Sequence, residues 1–182
     1  AVKQVEFVAK LGFPGAYYYI GNEECQTRCE GVHADMIARH AVAMKRADPT
    51  IKTFFTSNEI RPHSLQAVMQ QVGVGLLDGV DLHGKWPRGG GGAPTTFEQY
   101  LSEVPLRDHK IHKTWRQRLS ELRNVTLSLG RPDFMLMNNE FGLGHPATYR
   151  GNWSRFQKSL AAIEFNMELH IAGFDVACMW DN

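Results

Sequence analysis

Five short apolar runs alternate with segments of helical period, and this alternation restricts the fold more than any other feature of the chain. The runs are residues 17–22, 51–56, 76–83, 134–139 and 174–180. Each has the length and the aromatic or β-branched content of a buried strand. Between the first two, His33 to Ala47 sets Met36, Ile37, His40, Ala41 and Met44 at helical spacing. Asp48-Pro49 stops that helix, because the residue before a proline is pushed out of the helical region. A second helix is expected from His63 to Val72, with Pro62 suited to its first turn. Residues 96–129 read as largely helical and end at Gly130-Arg131-Pro132, and a further helix is expected from Trp153 to Ile171, closed by Gly173. Residues 2–11 read as the end of an earlier helix, broken by Gly12-Phe13-Pro14-Gly15.

Strands that alternate with helices build βα units, because parallel strands need a crossover rather than a tight turn. The expectation is an α/β fold: about five parallel strands with intervening helices, forming part of a (β/α)8 TIM barrel. A complete barrel of this kind takes ~250 residues, so the chain is short by about three βα units. No linker or internal repeat divides it, and residues 1–182 read as a single partial barrel domain, a fragment of a longer one.

The composition is that of an ordinary globular chain, 43% hydrophobic and 21% charged. A formal charge of +1 offers no electrostatic attraction for nucleic acid or an anionic membrane, so neither is expected as a partner. No apolar run approaches the ~20 residues that span a bilayer. Cys25, Cys29 and Cys178 form no disulfide framework, although Cys25 and Cys29 are close enough in sequence to meet within a loop.

Two of the strand-like runs end in an Asn-Glu pair. The first is Tyr17-Tyr18-Tyr19-Ile20-Gly21-Asn22-Glu23, and the second is Phe134-Met135-Leu136-Met137-Asn138-Asn139-Glu140. A carboxylate at the C-terminal end of a strand has left the packed core, and α/β folds place their active sites there. Side chains alternate along a strand, so Tyr17, Tyr19, Gly21 and Glu23 share one face, as do Leu136, Asn138 and Glu140. Asp81 and His83 likewise share a face of the middle run. Two carboxyls facing one another are the minimum equipment for cleaving a glycosidic bond: one protonates the leaving oxygen and the other meets the oxocarbenium-like centre. Asn22 and Asn139 are placed to supply amide donors beside them. Read singly, either glutamate is a solvated residue at a strand end; two pairs in one βα array favour the chemical reading.

The run Tyr17 to Glu23 resembles the fourth-strand signature of the clan A glycoside hydrolases, an aromatic-rich strand ending in Gly-Asn-Glu. Met137-Asn138-Asn139-Glu140-Phe141-Gly142 is similar to the segment that ends the seventh strand of that clan, and Trp180 in Ala177-Cys178-Met179-Trp180 matches an aromatic of the eighth. The resemblance covers almost the whole chain, as strands four to eight, and lacks strands one to three. It implies a retaining mechanism with no cofactor and no metal. Glu23 would be the general acid/base, Glu140 the nucleophile, Asn22 a ligand of the sugar hydroxyl beside the reacting carbon, and Trp180 a floor for the sugar. Glu24 follows Glu23, and both parity and the Asn-Glu pairing select Glu23. Among branches of the clan, the agar-degrading and arabinose-releasing ones look most similar. The sugar and linkage, endo or exo action and oligomeric state are not legible. A polysaccharide substrate would imply a secreted or periplasmic location.

His83 and Trp86, in His83-Gly84-Lys85-Trp86, stand where the clan often contacts substrate. The alternatives are a hydrogen-bonded histidine at a strand end and a tryptophan packed under the loop. Asn58-Glu59 is a third Asn-Glu pair, read as a strand-end turn. Gly89-Gly90-Gly91-Gly92 lacks the Gly-Lys-Ser/Thr of a phosphate loop and reads as a flexible binding loop. His33, His40, His109 and His112 have no carboxylate or cysteine companions in a metal-binding pattern. A different class of function also fits the missing strands: a non-catalytic carbohydrate-binding or assembly half-barrel. Open sheet edges would then invite self-association, or pairing with a missing N-terminal half.

Overall fold

The computed structural model describes residues 1–21, 31–57, 60–83, 107–108, 113–141 and 153–179. In chain order the elements are α1 (Val2–Lys10), β1 (Tyr17–Ile20), α2 (Val32–Ala47), β2 (Lys52–Thr56), α3 (Pro62–Val72) and β3 (Gly79–Asp81), followed by β4 (Arg107–Asp108), β5 (Lys113–Thr114), α4 (Trp115–Ser128), β6 (Met135–Phe141), α5 (Arg155–Ala172) and β7 (Val176–Met179). Five parallel strands form one sheet in the order β1-β2-β3-β6-β7, while β4 and β5 make a separate antiparallel pair. Spatial order follows chain order without reversal. A doubly wound sheet would show a switch point; stepwise winding in one direction is the pattern of a (β/α) barrel. The α/β expectation and the five parallel runs are borne out.

Element boundaries follow local chemistry. Pro62 occupies the first turn of α3, where its missing N–H costs nothing. Asp48 ends α2 in an extended conformation before Pro49, and its Oδ1 accepts from the N–H and hydroxyl of Thr50 at 2.9 and 2.6 Å. Gly173 closes α5 in the left-handed conformation at φ 113°. The helical expectation for 96–129 needs correction. Residues 107–108 and 113–114 are strands, and the helix starts at Trp115. Pro105 stands inside the expected helix, and an interior proline removes a backbone donor and clashes with the preceding turn. The true start is a capping box. Gln117 N–H donates to Thr114 Oγ1 at 3.2 Å, and Thr114 N–H donates to Gln117 Oε1 at 3.0 Å. Ser154 and Gln157 repeat the device at α5.

Residues group into two compact units: Ala1–Asp81 with Leu122–Met135, and Leu82–Glu121 with Leu136–Asn182. In the first, β2 is buried at four of its five positions, as a parallel strand covered on both faces must be. Tyr19, Phe54 and Gly79 are register partners across β1, β2 and β3. Tyr17 and Tyr19 lay their rings against Phe54, with centroids 5.3 and 5.6 Å apart. A Cβ on Gly79 would meet the Phe54 ring and the Met135 carbonyl oxygen, both at 2.5 Å. Only glycine fits there. Ile20, Phe55 and Val80, also in register, are buried.

At the N-terminal end of these strands, Asp78 gathers four donors. Lys45 Nζ donates at 2.6 Å, Lys52 Nζ at 3.2 Å and Thr53 N–H at 2.9 Å, with the Thr53 hydroxyl at 3.4 Å. Partial burial opposes ionisation, but the Lys45 hydrogen bond and charge, the Thr53 amide and Lys52 outweigh it and hold the Asp78 carboxyl below its ordinary value. Arg131 ties α4 to the same end, donating to the carbonyls of Val74 and Leu77 while pairing with Asp133.

In the second unit, β7 pairs with β6 through Met137↔Val176 and Asn138↔Ala177. The Asp175 carboxylate accepts from Leu136 N–H at 2.7 Å, and Asp175 N–H donates to the Leu136 carbonyl at 2.9 Å. Ala161, Phe165 and Leu169 are the buried row of α5. The Trp115 and Phe174 rings lie tilted to one another with centroids 5.3 Å apart, and the buried Arg118 guanidinium lies 4.8 Å from the Trp115 ring centroid.

Gly79→Ala is expected to lower stability by at least about 1–3 kcal/mol, the scale of an overpacked core, measured by chemical denaturation. The Asp78 carboxyl is depressed in the fold, so its contribution is present above the ordinary carboxylate range and lost as pH falls below about 4. Asp78→Asn should therefore cost about 1–3 kcal/mol at pH 7 and flatten the acid limb of a stability–pH profile. An unchanged acid limb would show that other carboxylates dominate it.

Candidate functional site

Polar side chains are buried where the strands finish. In the first unit, Thr56 and Asp81 are register partners at the C-terminal ends of β2 and β3, and both are buried. Ser57, fully buried, donates its N–H to the Asp81 carbonyl at 2.9 Å. Burying hydroxyls and a carboxylate is costly unless they meet polar partners, so such groups concentrate at functional ends of a sheet rather than in its middle. Tyr18 and Ile20 form the buried row of β1, with Tyr17 and Tyr19 on the more open row. The expected alternation is therefore present up to Ile20. Gly21 follows with φ 84°.

In the second unit, Leu82 N–H donates to the Met137 carbonyl at 2.7 Å. The segment after β3 thus runs alongside β6, and the backbones of His83 and Asn138 each follow one residue beyond that bond. His83 is buried and Asn138 fully so, whereas Asn139 is only half-buried. Asn139 was the expected amide donor; the structure also buries Asn138, on the same alternating row as Leu136. Leu136, Met137 and Asn138 are all buried, so both faces of β6 are covered there. Glu140 is a member of β6.

The pairing of β6 with β7 is irregular where Glu140 stands. Between Asn138 and Phe141 the register with β7 shifts: Asn138 pairs with Ala177, but Phe141 pairs with Met179. Three steps along β6 match two along β7, so β6 carries one extra residue there. A one-residue slip exchanges the faces of a strand, and simple alternation cannot be carried from Leu136 to Glu140. Such irregularities are common beside active sites, where they re-aim a side chain.

Asn22, Glu23, Trp86 and Trp180, and the side chain of Glu140, lie outside the described residues, as do Cys25, Cys29, Asn58-Glu59, the glycine loop at 89–92, His109 and His112. Of the expected site, the structure thus sets the backbone of His83 near that of Asn138, with Glu140 further along β6. Sequence reasoning did not single out Thr56 and Ser57, because a Thr-Ser pair after an apolar run reads as an ordinary strand end. Among the described residues, no group of three or more His, Cys, Asp or Glu is placed to hold a metal ion. No helix of the described residues is long and apolar enough to cross a membrane. Cys178 is a free, exposed thiol.

No protein-family model matches the sequence, and a search of curated proteins finds no match. Among solved structures, the fold is similar to that of a glucosidase from Croceicoccus marinus, at a TM-score of 0.50 and 18% identity, over 81% of this chain. The chain spans 27% of the glucosidase. A GH51 arabinofuranosidase from Xanthomonas axonopodis pv. citri aligns with 92% of this chain and 36% of its own, at 15% identity and a TM-score of 0.39. The chain has the fold of part of a (β/α) barrel, similar to that of a glycoside hydrolase. That likeness is one of fold, and it agrees with the resemblance read from the sequence.

Proposed function

We propose that this chain is the C-terminal, catalytic part of a retaining glycoside hydrolase that cleaves O-glycosidic bonds of an oligo- or polysaccharide by double displacement. The observation that carries the reading is the meeting of two independent patterns. Buried polar residues gather at the C-terminal ends of parallel strands, and the two Asn-Glu pairs follow or occupy ends of those strands. The glycosidase-like fold supports it.

In this reading Glu23, held protonated, gives its proton to the glycosidic oxygen as the bond to the anomeric carbon breaks. The Glu140 carboxylate attacks that carbon, and a covalent glycosyl-enzyme forms. Glu23, now ionised, takes a proton from water, which displaces Glu140 and regenerates both groups. Asn22 holds the neighbouring hydroxyl, while His83, Trp86 and Trp180 shape the sugar site. The burial of His83 suits a fixed hydrogen-bonding role. The chemistry requires no cofactor. The rival is a carbohydrate-binding or assembly half-barrel that has lost turnover.

Two measurements separate these readings. With aryl glycosides bearing good leaving groups, Glu23→Ala should still release the aryl group in a burst as the glycosyl-enzyme forms, because little proton donation is needed, and then hydrolyse that intermediate slowly, whereas Glu140→Ala should lose aryl release by orders of magnitude. A mechanism-based fluorosugar should label the wild-type chain and Glu23→Ala but not Glu140→Ala, read by mass spectrometry. Sugar binding without turnover in the wild-type chain would support the binding module instead. A ligand-bound crystal structure should place the Glu23 and Glu140 carboxyls roughly 5–5.5 Å apart, and a separation of ~6.5–9.5 Å would mean inversion.

A further inference from the structure

The extra residue in β6 decides which positions share a face of the strand. Asn138 pairs with Ala177, and Phe141 with Met179. Ala177 and Met179 are two residues apart on β7, so they share one face of the sheet, and Asn138 and Phe141 share it with them. Counted forward from Asn138, position 139 lies on the opposite face; counted back from Phe141, position 140 lies there too. Both stand opposite Cys178, the β7 residue between the two pairs. Two residues against one is the pattern of a β-bulge. On a regular strand, adjacent positions 139 and 140 would face opposite ways. Leu82 N–H donates to the Met137 carbonyl, and in a parallel ladder that bond leaves His83 opposite Asn139 and on its face. Accessibility rises along this face towards its end: Met137 is buried, Asn139 half-buried and Cys178 exposed.

We propose that the bulge sets Asn139 and Glu140 side by side on one face of β6, and that Asn139 is a positioning residue whose side-chain amide orients the Glu140 carboxylate for attack. The role of Asn139 rests on the glycosidase reading above; the shared face does not. A carboxylate that attacks the anomeric carbon needs its direction fixed, because a misplacement of roughly 1 Å slows such a step severely. An amide N–H donates to an ionised carboxylate without itself acting as a base. Consecutive residues of a regular strand cannot meet in this way. The Asn-Glu sequence therefore does not supply the contact by itself, and the extra residue does. Asn138, fully buried, lies on the other face with Leu136 and takes no part. His83 borders the pair on one side and Cys178 on the other.

Cross-linking to Cys178 tests the shared face without any sugar. In a background with Cys25 and Cys29 changed to serine, Asn139→Cys and Glu140→Cys should each close a disulfide with Cys178 under mild oxidation, because opposed positions on neighbouring strands lie within disulfide reach. Mass spectrometry of unreduced peptides reads the bridge. Asn138→Cys and Phe141→Cys, which the register puts on the other face, should not bridge. Circular dichroism checks the fold of each variant, and either control suffices if the other misfolds. No bridge from Glu140→Cys, or a bridge from either control, would overturn the shared face and the role of Asn139 with it. That role is read from labelling by the mechanism-based fluorosugar. Asn139→Ala should slow labelling at saturation by about tenfold or more and leave the half-saturating concentration unchanged, because orientation acts on the chemical step and not on binding. An unchanged rate, or a loss confined to binding, would overturn the positioning role. A wild-type chain that is never labelled would defeat the glycosidase reading and the role of Asn139 together, while the cross-links would still decide the placement.

Discussion

Parallel strand pairing is the constraint on which the rest of this structure depends. Parallel neighbours cannot be closed by a tight turn, so each step needs a crossover, and both faces of the central strands must be covered. Lys52–Thr56 answers that demand with four buried residues of five. On one face the Phe54 ring fills the space left by Gly79 and carries Tyr17 and Tyr19 against it. On the other, Ile20, Phe55 and Val80 form a continuous apolar row. The fold can bury these strands only because one residue in the row has no side chain.

The two ends of the strands are chemically different. At the N-terminal end, Asp78 and Arg131 collect lysines, amides and carbonyls into paired charges. Those groups satisfy one another and hold elements in place. At the C-terminal end the buried groups are Thr56, Ser57 and Asp81 in one unit and His83 and Asn138 in the other. In barrels generally, the first end serves stability and the second serves chemistry. The distribution of charge and polarity along β2, β3 and β6 follows that division.

Much of this was legible in the sequence, because apolar runs and helix stops act locally. Pro49, Pro62 and Gly173 fell at element ends, as their backbone preferences require. Segment 96–129 departs from a single helix because Pro105 cannot lie inside one and β4 and β5 precede the helix at Trp115. Thr114-Trp115-Arg116-Gln117 carried the correct start in plain view, since a Thr followed three residues later by Gln can exchange both cap hydrogen bonds. For the site, the buried strand was legible in the apolar run Phe134 to Met137, whereas the register shift beyond Asn138 was not. A register shift belongs to a pair of strands, and one strand's sequence contains only half of the information.

The extra residue in β6 has a mechanical meaning. Up to Asn138 the strand is geared to its neighbour, and a change at one tooth moves the rest. Past that point the gearing skips a tooth, and the tip of the strand runs in a different phase from its shaft. A small displacement of the packed shaft is then taken up at the skip instead of being transmitted to the tip. Conversely, residues at the tip can be exchanged over generations without repacking Leu136 and Met137 beneath them. An array of strands built this way holds its interior constant while the working ends drift, and descendants of one barrel can diverge in what they recognise long before they diverge in shape.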